Sequence, residues 1–342
     1  MPWREDPSPY HVYVSEIMLQ QTRVDTAEPY YLRFIEALPD MRALAGADEE
    51  RLLKLWEGLG YYSRVRNMKR AAEVCVREHG GEIPGEREAL LRLPGIGNYT
   101  AGAILSIAFR QPEPVVDGNV LRVLSRFTGS EADIADPRTR IRMEEELRSF
   151  LREWCIEPGH DPGILNQALM ETGALICLPN GTPKCAVCPL GARCAACLAG
   201  ITDRIPVKSP KKARETVEKT VFLVRTGKSL ALRKNSREGL LSGLYGLPEQ
   251  PGKLSPEEVR DLFRGTGARI TPLPRKKHVF THLEWHMDAY RIDLREGAVL
   301  PAFMKDAVFA TEEACGTRYP VATAYKKWAF SKMRHKRHGE EG

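Results

Sequence analysis

Two carboxylates in the 342-residue chain sit where chemistry could use them. Glu16 lies in the apolar stretch Tyr13-Val14-Ser15-Glu16-Ile17-Met18-Leu19-Gln20-Gln21-Thr22. A glutamate that becomes partly buried there has its pKa raised, as a general acid needs. The plainer alternative is a solvated helical glutamate, the commoner case for a lone Glu. Asp117 follows the apolar Val115-Val116 and precedes Gly118-Asn119-Val120. It occupies a helix N-cap position, so it is either a cap alone or also a functional carboxylate, at a point where the helix dipole favours an anion. Between them, Leu93-Pro94-Gly95-Ile96-Gly97-Asn98-Tyr99-Thr100 joins two helical segments. Gly95 and Gly97 permit a tight turn with exposed N–H groups at a helix start, which suits a phosphate as well as it suits an ordinary helix–helix turn.

Five of the eight cysteines fall within 21 residues: Cys177, Cys185, Cys188, Cys194 and Cys197. In a reducing compartment such a cluster is a metal or iron–sulfur site before it is a disulfide framework. Cys177, Cys185, Cys188 and Cys194 could hold a [4Fe–4S] cluster. Cys185-x2-Cys188 and Cys194-x2-Cys197 could equally pair as knuckles round a tetrahedral zinc. Spacing alone leaves both open.

The elements that must position these groups are helical in the first half. Periodicity and capping residues predict helices over Tyr10–Thr22, after the Asp48 cap, and over Tyr62–Glu78, Asn98–Phe109, Gly118–Thr128, Arg138–Cys155 and Pro162–Cys177. No convincing strand precedes about residue 215. Residues 198–216 hold Pro206, Pro210 and a run of lysines and read as a linker. Beyond it, Val217–Arg225, a turn at Thr226-Gly227-Lys228 and Leu230–Arg233 read as a strand pair. Leu283 to Ala289 alternate as a half-buried strand, and Ser255-Pro256-Glu257-Glu258 is a capping box opening a helix. Charge is uneven: residues 1–197 carry a net −5 and residues 198–342 a net +11, which suggests a polyanionic partner. No apolar run approaches the roughly 18 residues of a membrane helix, and the polar start Met1-Pro2-Trp3-Arg4 is no secretory signal, so a cytosolic chain is expected.

Taken together, Pro2-Trp3-Arg4, Ser15 to Thr22, Gly58-Leu59-Gly60-Tyr61-Tyr62-Ser63-Arg64, Leu93 to Ala103, Asp117 to Val123, Asn166 to Cys194 and Phe280-Thr281-His282 resemble the MutY-type adenine DNA glycosylases. The resemblance covers nearly the whole chain. It implies an all-α helix-hairpin-helix glycosylase domain with an iron–sulfur loop over residues 1–197. An α+β, Nudix-like lesion-recognition domain over 217–332 and a basic tail over 333–342 would follow the linker. It implies a [4Fe–4S] cluster on Cys177, Cys185, Cys188 and Cys194, and a nucleoid-associated monomer acting on mismatched double-stranded DNA. Glu16 matches the residue that protonates a departing adenine, and Asp117 the one that stabilises or transiently bonds the sugar cation. Tyr99, Asn119 and Arg4 match pocket residues, and Gln167 one facing the adenine edge. Gln21 and Tyr61 match residues that wedge into the base stack, with Thr22 and Leu59 beside them in the substrate-binding set; Gly95 and Gly97 match the turn on the DNA backbone. The alternatives are a polar helix face at Gln20-Gln21 and core aromatics at Tyr61 and Tyr62. Thr281 and His282 match contacts to 8-oxoguanine, unless the triplet simply belongs to a strand from Val279.

Endonuclease III-like relatives place a lysine where Tyr99 stands, and that amine attacks the sugar and leads to strand cleavage. Tyr99 therefore implies a monofunctional glycosylase. Three departures accompany the resemblance. Seven residues, not six, separate Cys177 from Cys185, with Asn180-Gly181 a turn that could absorb the extra one. Thr281 replaces a common serine. The helix that relatives carry before Pro-Trp-Arg is either missing or lost in defining the start at Met1, and its absence is expected to expose apolar surface. The second domain lacks the glutamate-rich metal box of a Nudix hydrolase and reads as a binding module. A glycosylase for another mispaired base, such as thymine opposite guanine, and a non-catalytic iron–sulfur DNA-binding protein are the competing readings.

Overall fold

A computed structural model of the chain describes residues 1–210, 213–236, 241–280 and 282–329. Two compact units emerge: Met1–Ala47 with Arg66–Lys211, and Asp48–Val65 with the chain from residue 212 onward. The sequence expectation groups residues 48–65 with the helical domain. Long-range bonds set them with the second unit instead: Lys54 Nζ donates to the Cys315 carbonyl, and Glu57 accepts from the Val321 N–H.

Helices α1 (Pro9–Leu19), α2 (Val24–Ala37), α3 (Met41–Gly46), α4 (Glu49–Leu55), α5 (Ser63–Glu78), α6 (Arg87–Arg92), α7 (Asn98–Ala103), α8 (Gly118–Thr128), α9 (Pro137–Trp154), α10 (Pro162–Glu171) and α11 (Ala195–Leu198) fill the chain before the first strand. Several start signals are plain in the sequence. Ser8, Asp136 and Asp161 each cap a helix whose first residue is proline, where a missing N–H costs nothing. Helix α8 runs from its Asp117 cap to Gly129, whose φ of 72° closes the C-terminus with a bond to the Ser125 carbonyl. Its apolar side, Val120, Leu121 and Val123, packs with Met143, Leu147, Leu151 and Leu169 into a core of the first unit. Both α7 and α10 continue into a π-type turn, Ile104–Ala108 and Thr172–Ile176, where the predicted helices run on as regular α.

The second unit is built on a mixed sheet of seven strands: β1 (Glu215–Thr226), β2 (Ser229–Lys234), β3 (Tyr245–Gly246), β4 (Glu249–Pro251), β5 (Arg269–Val279), β6 (Leu283–Leu294) and β7 (Val308–Thr311). The order β3-β2-β1-β6-β5 puts long β1 parallel to β6, with Glu215 opposite Leu283 and Thr226 opposite Leu294. β4 also pairs with β1, and β7 with β2. Helix α12 (Pro256–Leu262) opens on the expected capping box, with Ser255 and Glu258 exchanging bonds; α13 (Glu312–Thr317) and α14 (Thr323–Ala329) follow β7. Phe222, Val224, Tyr290 and Ile292 pack with Val259, Phe263 and Met304 into this unit's core. Strand β5 was not legible as a strand because it holds Pro272 and Pro274. Its edge position tolerates them, and its register with β6 slips between Leu273 and Lys276. Among the described residues no helix is long and apolar enough to cross a membrane.

Candidate active site

Glu16 faces inward from α1 and is 8% exposed, so the solvated-glutamate alternative does not hold. Burial raises its pKa to about 6 against the opposing hydrogen bond from Tyr99, with the Asp117 charge raising it further and Arg4 lowering it. Tyr99, on the first turn of α7, donates from its hydroxyl to Glu16 Oε2 at 2.8 Å and lies 3.4 Å from Met170 Sδ on α10. Burial, followed by the charges and bond of Glu16 and the Asp117 charge, pushes the Tyr99 phenol far above its ordinary value, so it stays a donor. Arg4, in the 3₁₀ turn Pro2–Arg4, pairs with Glu171 as well as acting on Glu16.

Asp117 is both cap and neighbour of this pair. Its Oδ1 accepts from the N–H groups of Asn119 and Val120 at 2.8 Å, and its Oδ2 accepts from Asn119 Nδ2 at 2.9 Å. The Asn119 amide is turned that way by Arg122, whose Nη2 donates to Asn119 Oδ1 at 2.9 Å. Two close approaches fix the assembly. A Cβ on Gly102 of α7 would lie 2.2 Å from the Pro114 carbonyl oxygen, so glycine there lets the segment leading to Asp117 press against α7. A Cβ on Gly173 would lie 2.6 Å from Asn119 Cβ. Asn166, fully buried on α10, holds the same segment by donating to the Glu113 carbonyl and accepting from the Val115 N–H.

Sequence reasoning missed Arg122, Asn166 and Gly102. Arg122 is the most telling: 7% exposed, it also donates to the carbonyls of Cys177 and Gly173 at 2.7 Å each. Its spacing, three residues after Asn119 on one helix, was the available signal.

Gln167 is half-buried on α10, and its Nε2 donates to the Gly163 carbonyl one turn back; none of its hydrogen bonds among the described residues reaches Glu16, Tyr99 or Asp117. Gln21 lies beyond the end of α1, exposed and with φ of 58°, so it is no helix face; Thr22 Oγ1 donates to the Gln20 carbonyl. The predicted helix over Tyr10–Thr22 stops at Leu19. In the hairpin, Gly95 has φ of 81° and a Cβ there would meet Asn67 Cβ at 2.6 Å, whereas one on Gly97 would meet nothing within 4 Å. The fold therefore needs the first glycine and leaves open space over the second.

In the second unit, Tyr61 is 46% exposed with φ of 48°, while Tyr62 and Leu59 are buried. Only Tyr62 therefore fits the core-aromatic alternative. Thr281 lies outside the described residues. Phe280 and His282 themselves lie between the end of β5 and the start of β6, and the Phe280 N–H donates to the Leu283 carbonyl at 2.9 Å. Phe280 packs edge-on to His278 and Trp285.

Cys177, Cys185, Cys188, Cys194 and Cys197 line one cavity with Arg126 and Gly191. A Cβ on Gly191 would sit 2.9 Å from the Cys185 carbonyl oxygen, and Arg126 Nη1 lies 3.3 Å from Cys177 Sγ. Among the described residues no three His, Cys, Asp or Glu side chains converge as ligands of a single ion. The Asn180-Gly181 turn does form, with Gly181 at φ of 74°.

Residues 14–153 match the family model for HhH-GPD superfamily base excision DNA repair proteins, and residues 220–329 match that for the NUDIX domain. A curated adenine DNA glycosylase of Mus musculus is 34% identical over 96% of this chain and 74% of its own length. That of Buchnera aphidicola subsp. Schizaphis graminum is 35% identical over 86% and 83%. This chain belongs to the adenine DNA glycosylase family. It is accordingly a DNA glycosylase of base excision repair, with a helix-hairpin-helix domain followed by a Nudix-like one. A solved thermostable thymine-DNA glycosylase covers 58% of the chain at 27% identity with a TM-score of 0.51.

Proposed function

We propose that the enzyme removes adenine mispaired with 8-oxoguanine or guanine and leaves the strand intact. The observation that carries this reading is the buried Glu16, raised to about 6, bonded to Tyr99 and within the field of Asp117. Adenine leaves poorly as an anion. Glu16, protonated in part near neutral pH, gives its proton to a ring nitrogen so that the base departs neutral. Asp117 stabilises the positive charge that develops on the sugar, the two-carboxylate pattern of glycoside hydrolysis. Asn119 holds Asp117 in place, and Tyr99 orients Glu16. No amine stands at position 99, so water completes the reaction. The target base must leave the duplex, a cost of a few kcal/mol. Gln21 and Tyr61, both held at positive φ, are the wedges we assign to that step, and Thr22 and Leu59 belong to the same substrate-binding set. Gln167 reads the adenine edge, Gly95 and Gly97 rest on the phosphates, and Thr281 and His282 read the damaged base.

The thiol-lined cavity supports a [4Fe–4S] cluster, which Cys177, Cys185, Cys188 and Cys194 would hold. Such a cluster would supply a rigid anchor for the loop after α10. The enzyme acts as a monomer on mismatched DNA in the nucleoid.

A single-turnover assay on an 8-oxoguanine:adenine duplex tests the reading. Adenine should be released, and the abasic strand should break only after alkali. Release of thymine from a guanine:thymine duplex, with adenine untouched, would replace this substrate by that of the thymine-specific structural relative.

A further inference from the structure

The loop that carries Tyr61 is framed twice. Internally, the Trp56 indole N–H donates to the Gly60 carbonyl at 3.0 Å, and Arg64 Nη2 donates to the carbonyls of Leu59 and Gly60 at 3.3 and 3.2 Å. Gly58 N–H reaches the Tyr62 hydroxyl at 3.3 Å. Externally, one side chain fastens the loop to residues more than 260 positions away. Glu57, whose side chain is 9% exposed, accepts at Oε1 from the Val321 N–H at 3.0 Å and from Lys326 Nζ at 2.9 Å. Its Oε2 accepts from Lys54 Nζ at 2.6 Å, and Lys54 in turn donates to the Cys315 carbonyl at 3.1 Å. A carboxylate that nearly buried and held by two ammonium groups and a backbone N–H is costly to disturb, because removing it leaves its partners unmatched. The next four residues include Gly58 and Gly60 at φ of 113° and 72° and Tyr61 at 48°. Such a backbone persists only where its surroundings over-determine it.

We propose that Glu57 is a positioning residue through which the C-terminal segment around Val321 and Lys326 sets the Tyr61 wedge. Its carboxylate then governs extrusion of the base and not cleavage of the glycosidic bond. This rests on the adenine glycosylase reading and on the wedge role given to Tyr61.

The test compares wild type with Glu57→Ala, Glu57→Gln and Lys326→Ala in the full chain under single turnover. One duplex carries adenine opposite 8-oxoguanine; a second carries it opposite an abasic site, where it is already poorly stacked. A 2-aminopurine next to the target reports unstacking by fluorescence. Glu57→Ala should slow adenine release about tenfold on the first duplex and less than twofold on the second, with a matching loss of the fluorescence rise. Glu57→Gln, which keeps an acceptor for Val321, and Lys326→Ala should fall between. Equal losses on both duplexes, or no loss on the first, overturn the proposal. If the alanine variant does not fold, the other two carry the same comparison. Absence of adenine release by wild type from either duplex would instead sink the substrate reading and this inference with it.

Discussion

Glu16 and Glu284 are two glutamates with close partners and opposite behaviour. Glu16 sits among helices with one neutral hydroxyl donor at 2.8 Å, and among the described residues the cation that acts on it, Arg4, is shared with Glu171. Its carboxyl rises to about 6, driven first by burial. Glu284, near the start of β6, lies 2.8 Å from Lys277 Nζ and 2.6 Å from His286 Nε2. These bonds hold its carboxyl below the ordinary glutamate range. A few strand positions away, Arg275 pairs with Glu218, and His286 Nδ1 lies 3.5 Å from the same Glu218. The lesson is that an acid is made by taking a carboxylate out of water and withholding a dedicated cation, whereas the same group with cations to itself becomes a fixed anion.

The largest effect expected from breaking that arrangement is at Glu16. Glu16→Gln should lower single-turnover adenine release by about 10³-fold, the scale of a lost general acid, while duplex affinity in a gel-shift assay is kept. The wild-type rate should be flat below pH 6 and fall about tenfold per unit above it as Glu16 ionises. Next, Gly102→Ala forces a methyl onto the Pro114 carbonyl and displaces the segment that ends at Asp117. A loss of about 1–3 kcal/mol in urea unfolding and roughly 10²-fold in rate is expected, since small misplacements of reacting groups are costly. Tyr99→Phe is milder. It removes the bond that lowers the Glu16 pKa, so the falling limb of the pH–rate profile should move to higher pH. At pH 5, where Glu16 is neutral, only one neutral hydrogen bond is lost, about 1 kcal/mol or roughly fivefold in rate. A limb that stays put or moves to lower pH would contradict the assigned roles.

Much of the first unit could be read directly because its signals are local. Asp117 followed by an apolar α8 and closed by Gly129 gave that helix end to end, and the Ser-Pro and Asp-Pro starts gave others. Glu16 and Asp117 were legible as carboxylates at defined positions on helices, but Glu16 needed the surrounding fold to show its burial. Helix α2 escaped because Pro29 interrupts its pattern, and β5 because Pro272, Pro274 and its lysines and arginines hide a strand that pairs on one side. Arg122 and Gly102 could not be found from local pattern, since what makes them matter is a carbonyl from another segment. Residues 48–65 illustrate the same limit. Their helix is predictable, yet their membership of the second unit is decided by partners at Cys315 and Val321.

The pH dependence of stability sharpens the contrast between the two glutamates at the smallest scale. Glu16 has a folded pKa above its unfolded one, so the folded state binds the proton more tightly. Stability is therefore lost, not gained, as pH rises from about 4.5 to about 6, and the penalty of about 2 kcal/mol is constant above that. Glu16→Gln should remove the penalty: equally stable near pH 4, more stable at pH 7 by about that amount in urea unfolding. Glu284 has the opposite sign. Its lowered pKa stabilises the fold above the unfolded value and is lost as pH falls through the folded one. Because its Lys277 partner is 59% exposed, salt screens the pair. Glu284→Gln should leave the unfolding midpoint unchanged within error in 0.5 M salt, with a small decrease confined to low salt and to neutral pH. A larger loss than that, or a gain at pH 7 like the one expected at position 16, would mean that cation pairing does not separate the two sites.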